Sequence, residues 1–244
     1  MNKLVQLCYD EIKKICRKAF DYHKLQPLIF PALFVLFLLL ASLEEIVDDV
    51  MEGDTHALDQ YVLMLFRDPQ NINDTVGPHW VAEMMRDFSA LGGFTVLTMV
   101  TIAVAVYFFV AKKAGKAWYM LMAVGTGTLL TNILKAGFDR PRPNLSLLDT
   151  YTYTSSFPSG HSMMAAVVYL TLGGLLAQSQ QQKRMKFYIF GMALVTAFLV
   201  GISRVFLGAH WVSDVAAGWM AGLAWALLFW LGQRYWVARR YNAQ

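Results

Sequence analysis

The fold turns on the stretch Pro158-Ser-Gly-His-Ser-Met-Met-Ala-Ala-Val-Val-Tyr-Leu-Thr-Leu-Gly-Gly-Leu-Leu-Ala177. Pro158, Ser159 and Gly160 are residues that start helices and let backbone approach a ligand. His161 follows, and then the chain is apolar from 162 to 177. A run of that length is near the lower limit for crossing a bilayer as a helix. Two more polar clusters lie beside apolar runs. Lys135-Ala-Gly-Phe-Asp-Arg-Pro-Arg142-Pro143 closes the run 117–134, and Ser203-Arg204 with His210 and Asp214 stands between 187–203 and 211–231. Charge in such places is expensive unless it has a function.

Outward from these runs, 28–43 and 94–111 bring the expected spans to six. The composition agrees. Only 16% of the 244 residues are charged and 57% are hydrophobic, whereas a soluble domain carries about 25% charged residues. Mean hydropathy is +0.41. The reading is therefore an all-α polytopic membrane protein, a bundle of six transmembrane helices with amphipathic helices outside it. No internal repeat or low-complexity linker divides the chain, so 1–244 is expected to form a single domain, with its motifs within 118–231.

Residues 1–27 are basic and amphipathic, and suit a helix on the cytoplasmic membrane surface. An ordinary solvated basic helix is the alternative. The run 28–43 reads as a retained anchor, because Ala41-Ser42-Leu43 lacks the small-x-small pattern of a cleavage site. Cys8 and Cys16 lie about two helical turns apart, too far for a disulfide within one helix. They are expected to be reduced, with no metal or redox role. Residues 44–93 open with Glu44, Glu45, Asp48, Asp49, Glu52, Asp54 and Asp59. Two short amphipathic pieces follow, 54–67 and 79–91, on either side of the loop 68–78; they are expected to lie along the outer interface. Gly218 and Gly222 form a small-xxx-small pair, read as close helix packing within the bundle rather than dimerisation.

Charge fixes the expected orientation. Segments 1–27, 112–116, 178–186 and 232–244 hold fifteen of the 21 Lys and Arg and three of the 17 Asp and Glu. The other side holds six basic and fourteen acidic residues, and four of those basics are Lys135, Arg140, Arg142 and Arg204. The positive-inside rule places both termini in the cytoplasm and all three clusters on the opposite face.

The clusters have a common chemistry. His210 and Asp214, four apart on a helix beginning near His210, can touch. A carboxylate on one imidazole nitrogen fixes the tautomer and frees the other as a nucleophile. A helix-capping pair is the structural alternative. His161 stands at a helix start whose N–H groups suit an anion, where an imidazolium can protonate a leaving oxygen. Lys135, Arg142 and Arg204 can hold the charge of a transferring phosphoryl group. Snorkelling alone would explain Lys135, but not why the outward basics concentrate in these clusters.

Lys135-x6-Arg142-Pro143, Pro158-Ser-Gly-His161 and Ser203-Arg204-x5-His210-x3-Asp214 together resemble the signature of the type 2 phosphatidic acid phosphatase superfamily. Every specified position agrees, in order. The resemblance implies a metal-independent, cofactor-free lipid phosphatase with a six-helix membrane core. It implies His210 as the nucleophile that forms a phosphohistidine, Asp214 as its orienting partner and His161 as the general acid. It assigns the phosphate to Lys135, Arg142, Ser159, Gly160 and Arg204. The expected partners are a lipid phosphate and the bilayer, not nucleic acid. Candidate substrates are undecaprenyl diphosphate, phosphatidylglycerol phosphate and phosphatidic acid, handled at the periplasmic or outer face of a bacterial plasma membrane. Lipid phosphotransfer to an acceptor hydroxyl and a non-catalytic phosphate-binding transporter are the competing readings. Vanadate-dependent haloperoxidases share the superfamily's anion pocket, but six spans argue against that activity.

Overall fold

The computed structural model describes residues 3–145, 147 and 154–242, with side chains described between 28 and 237 of these. Among the described residues the chain is all-α. Its helices are α1 (Lys3–Glu52), α2 (His56–Leu65), α3 (His79–Leu91), α4 (Phe94–Val110), α5 (Ala114–Ala136), α6 (Gly160–Ala177), α7 (Lys183–Phe206) and α8 (Val212–Asn242). The chain divides into two compact units. One runs from Leu39 to Ala226; the other takes the chain up to Leu38 together with the segment from Leu227 onward.

Five helical segments are long and apolar enough to cross a bilayer: Leu28–Glu52, α5, α6, α7 and Val212–Val237. The count becomes six when α3 and α4 are taken as one span broken by a 47° bend. This is a multi-pass membrane protein. The surface chemistry fits, because α4 buries Leu97, Thr101, Ala105 and Phe108 along one stripe while exposing Phe94, Met99, Ile102, Val106 and Val110 on the others. A helix apolar on every face needs lipid on the faces that protein does not cover.

Within the larger unit, α6 is the central element. It packs along α7 on one side and α5 on the other, with α4 laid on α5 and α3 on α7. Ala165, Ala166 and Leu170 of α6 meet Ala193, Ala197 and Val200 of α7. Val168 and Leu175 meet Met120 and Ala117 of α5 and Leu97 and Phe108 of α4. Lipid tails are as apolar as a leucine core, so such helices associate through close packing of small residues. Gly218 and Gly222 of α8 show this: a Cβ added to Gly218 would stand 2.6 Å from the Ser159 carbonyl oxygen, and one on Gly222 2.7 Å from Ala166 Cβ. The glycine pair serves contact between α8 and α6 of the same chain.

Two boundaries differ from expectation. The acidic residues 44–52 do not begin a new segment but continue α1, which ends only where Gly53 takes φ +88°. Nothing between 43 and 52 is a Gly or Pro that would break a helix, and hydropathy does not report that continuity. The amphipathic pieces at 54–67 and 79–91 form α2 and α3, with α2 confined to His56–Leu65. Of residues 1–27, those from Lys3 onward are helical in backbone; the face their side chains present lies outside the described residues.

The alternation of helix direction gathers the polar clusters. Lys135 ends α5, Gly160 and His161 start α6, Arg204 lies in the last turn of α7 and Asp214 in the first turn of α8. All four helix ends face one way. There Ala82 of α3 packs on Phe206 of α7 and on Leu207 just past its end, together with Phe66, Val81, Met85 and Leu147. Residues 55–91 therefore roof that end of the unit.

Candidate active site

His210 does not belong to α8, which begins two residues later. It is carried by a tight connection, 207–211, in which Gly208 has φ +69°. A side chain at 208 would collide with Arg67 and with the Leu145 carbonyl, and the left-handed conformation disfavours any Cβ. This turn lets the buried imidazole reach back to the first turn of α8. Its Nδ1 lies 3.3 Å from Asp214 Oδ2. Arg142 Nη1 lies 3.1 Å from His210 Nε2 and donates to the Ala209 carbonyl at 3.0 Å. A guanidinium only donates. Nε2 is therefore the acceptor, and the ring proton sits on Nδ1, facing Asp214.

Burial pulls the His210 imidazole down to about 3, opposed by its hydrogen bond to Asp214 and reinforced by the charges of Arg204 and Arg142. The ring is neutral at neutral pH, with its Nε2 lone pair available. Burial also lowers the Arg142 guanidinium, and Asp214 opposes that shift.

Asp214 is fully buried and accepts from four directions. Trp211 N donates to Oδ2 at 3.0 Å and Ser156 Oγ at 2.5 Å, while Arg140 Nη1 reaches Oδ1 at 2.6 Å and His210 completes the set. Arg140 continues outward to Asp59 of α2, with Nη2 2.6 Å from Asp59 Oδ2.

The phosphate-binding candidates stand around the same imidazole. Charge interactions link His161 to Arg204, His210, Arg142 and Lys135. Lys135 Nζ donates to the Ser155 carbonyl at 2.8 Å. Gly160 leaves room for that side chain: a Cβ there would lie 3.3 Å from Lys135 Cε. Arg204 Nη1 donates to Ser89 Oγ of α3 at 2.7 Å. The Nε groups of Arg142 and Arg204 are buried and find no protein acceptor among the described residues. Ser159 caps α6, its Oγ accepting from Ser162 N at 3.5 Å and from Ser162 Oγ at 3.0 Å. Its backbone N–H donates to the Asp214 carbonyl at 2.9 Å. All eight sequence-predicted site residues thus lie at one end of the larger unit. Among the described residues no group of three or more His, Cys, Asp or Glu could hold a metal ion.

Sequence reasoning missed Arg140, Asp59, Ser156 and Ser213. For Arg140 a signal existed, since it is one of the few basic residues on the site's side of the charge count. Asp59 is one acid in an acidic stretch and carries none.

Fold and site define a polytopic membrane protein that aims fixed cations and a neutral, carboxylate-backed imidazole at one point. The sequence profile of the PAP2 superfamily matches residues 116–238. Phosphatidylglycerophosphatase B of Bacillus subtilis is 34% identical over 204 residues, covering 82% of this chain and 91% of that protein. An undecaprenyl-diphosphatase of Sulfolobus acidocaldarius is 34% identical over 76 residues, 31% of this chain and 32% of that one. The crystal structure of a transmembrane PAP2 type phosphatidylglycerolphosphate phosphatase from Bacillus subtilis covers 84% of this chain and 96% of its own, with TM-score 0.68 and 29% identity. The chain belongs to the PAP2 superfamily, and it is a phosphoric monoester hydrolase of the lipid phosphatase type.

Proposed function

We propose that this protein removes phosphate from a membrane lipid mono- or diphosphate through a phosphohistidine on His210. The observation that carries the reading is the two-sided hold on one imidazole: Nδ1 on Asp214 at 3.3 Å, Nε2 under Arg142 at 3.1 Å. An arriving phosphate draws Arg142 from Nε2 onto its own oxygens. The Nε2 lone pair attacks the terminal phosphorus, and the bond from it to the leaving oxygen, that of the lipid alcohol in a monophosphate or of the lipid phosphate in a diphosphate, breaks. The electron pair leaves on that oxygen, which takes a proton from His161. The Nδ1 proton stays with the ring, and Asp214 offsets the positive charge that develops there. His161 then accepts a proton from water as the water oxygen attacks phosphorus. The P–N bond breaks, its electron pair returns to Nε2, and inorganic phosphate departs. Lys135, Arg142, Arg204, the Ser159 hydroxyl and the backbone at Gly160 hold the three non-bridging oxygens of the phosphoryl group.

Membrane burial supports a lipid substrate, whose chain can stay in the bilayer while its head group enters among the helix ends. The relatives named for phosphatidylglycerophosphate and undecaprenyl diphosphate support that class. The excess of basic residues on the segments opposite the site supports cytoplasmic termini and a site at the periplasmic or outer face of the plasma membrane. The test is purified protein assayed side by side on undecaprenyl diphosphate, phosphatidylglycerol phosphate and phosphatidic acid. Released phosphate is counted, and acid-labile phosphoprotein is trapped by rapid quench. Full turnover by His210→Ala would refute the mechanism.

A further inference from the structure

Asp59 is a carboxylate with 1% exposure, far in sequence from every motif. Asp59 Oδ1 accepts from Ser213 N at 2.9 Å, in the first turn of α8. Ser213 Oγ donates to Asp59 Oδ2 at 2.7 Å. Asp59 Oδ2 receives Arg140 Nη2 at 2.6 Å, and the same nitrogen donates to Thr55 Oγ1 at 2.9 Å. The other arm of that guanidinium, Nη1, reaches Asp214 Oδ1 at 2.6 Å and Ser213 Oγ at 2.8 Å. Arg140 is held on its remaining sides as well. Its carbonyl accepts from Ser156 N at 2.9 Å, and Trp211 lies with its ring 6.0 Å from the guanidinium carbon. The side chains form an unbroken line: Asp59, Arg140, Asp214, His210.

We infer that Asp59 is a positioning residue for the reaction, acting on His210 through Arg140 and Asp214 from the roof helix α2. This rests on the reading of His210 as the attacking group. A guanidinium bound to one carboxylate alone would neutralise it. Asp214 would then have little charge left to stabilise the cation that develops on the imidazole when Nε2 bonds to phosphorus. A second carboxylate on the far arm restores a net negative charge to the group, and the rigid fork directs it. Asp59 and Thr55 on Nη2 fix the guanidinium, and Nη1 then fixes the plane of Asp214, so that Oδ2 meets Nδ1 while Oδ1 meets Arg140. The competing role for Asp59 is mere fastening of α2 to the start of α8.

The test uses the full chain in lipid vesicles with phosphatidic acid, phosphatidylglycerol phosphate and undecaprenyl diphosphate as probes. Asp59→Asn should lower kcat about 10–100-fold, while KM and the inhibition constant of inorganic phosphate move less than about threefold. Asp59→Glu, which restores the charge, should recover most of that loss. In an Asp214→Asn background, Asp59→Asn should cost less than about twofold more, because its effect passes through Asp214. Ser213→Ala should lower kcat about 3–10-fold by removing one hydroxyl of the bridge; it carries the test if the Asp59 variants do not fold. Wild-type kcat in Asp59→Asn or in Ser213→Ala overturns the inference. So does joint collapse of kcat and phosphate inhibition without recovery by Asp59→Glu, which marks fastening only. An active wild type with an indifferent Asp59→Asn sinks this inference alone. A wild type that releases no phosphate from any of the three lipids takes the proposed function down with it.

Discussion

Asp214→Asn is the sharpest perturbation of the site, because it keeps shape and removes only charge and acceptor capacity. The carboxylate accepts at both oxygens, with Arg140 on Oδ1 and with Trp211 N, Ser156 and His210 on Oδ2. An amide cannot serve both sides. With its oxygen toward His210, its NH2 faces the guanidinium; turned over, its NH2 faces the protonated Nδ1 and the Trp211 N–H. The magnitude follows from the 3.3 Å separation of Nδ1 and Oδ2. At an effective dielectric of about 20, a full charge on the ring at that distance is worth roughly 5 kcal/mol. That energy is present in the phosphohistidine-like transition state and absent in the neutral ground state, so it falls on kcat. Each 1.36 kcal/mol is tenfold in rate, so kcat should drop about 10³–10⁴-fold, with KM changed by less than about threefold. The assay is phosphate release from vesicle-borne phosphatidic acid, paired with rapid-quench counting of acid-labile phosphoprotein, which should form equally slowly. A variant retaining more than about a tenth of wild-type kcat would refute the assignment of Asp214 as the charge partner of His210.

Three further outcomes are expected. The depressed His210 places the acid limb of kcat/KM well below the ordinary imidazole range, toward about 3. A buried neutral histidine stabilises the fold fully above its unfolded value near 6.5 and loses that contribution as pH falls toward 3. Because Arg142 is one of the charges lowering it, Arg142→Gln should move the limb to higher pH, checked by a pH–rate series against wild type. Gly222→Leu should lower the yield of monodisperse protein and its detergent Tm, since a Cβ there already meets Ala166 and overpacking costs about 1–3 kcal/mol. Orthophosphate should stabilise the fold through the site, by about 2.7 kcal/mol at 100-fold over its Kd. Arg204→Gln, read by the same thermal shift, should remove most of that gain.

Much of this was legible because membrane spans and the histidine motifs leave separate marks in the sequence. The apolar runs are set by bilayer thickness, so length and composition located α5, α6 and α7 to within about four residues and the start of α8 to within one, while α8 runs on past 231 to Asn242. The cluster residues were legible because charge is rare beside such runs, which makes Lys135, Arg142 and Arg204 conspicuous. Other features depend on tertiary contact. Asp59 sits among six other acids between 44 and 59, and only packing reveals that it alone points inward at Arg140. Ser89 and Ser156 are ordinary serines until Arg204 and Asp214 are placed against them. The local geometry at His210 was also hidden. His210 and Asp214 at a spacing of four suggested two residues of one helix, whereas the contact is made by a glycine turn that folds His210 back onto the helix start.

The distribution of charge at the helix ends favours anion binding over snorkelling. Lys135, Arg142 and Arg204 converge at the helix ends, and two carboxylates are close by. Both are already committed, Asp59 to Arg140 and Asp214 to Arg140 and His210. Among the described residues none of the three cations has an ion pair; their partners are neutral oxygens of Ser155, Ser89, Ala209 and Thr154 and the imidazole itself. A snorkelling side chain carries its charge out to water. Here Arg204 is buried and Lys135 and Arg142 are half-buried, their head groups turned to protein oxygens, and the Nε groups of the two arginines are buried with no protein acceptor among the described residues. Like charges gathered in a partly buried site destabilise one another, so the arrangement costs stability unless an anion offsets it. Arg140 removes the protein's own acids from that role. The positive charge that remains beside Nε2 of His210 is what a phosphate dianion would neutralise.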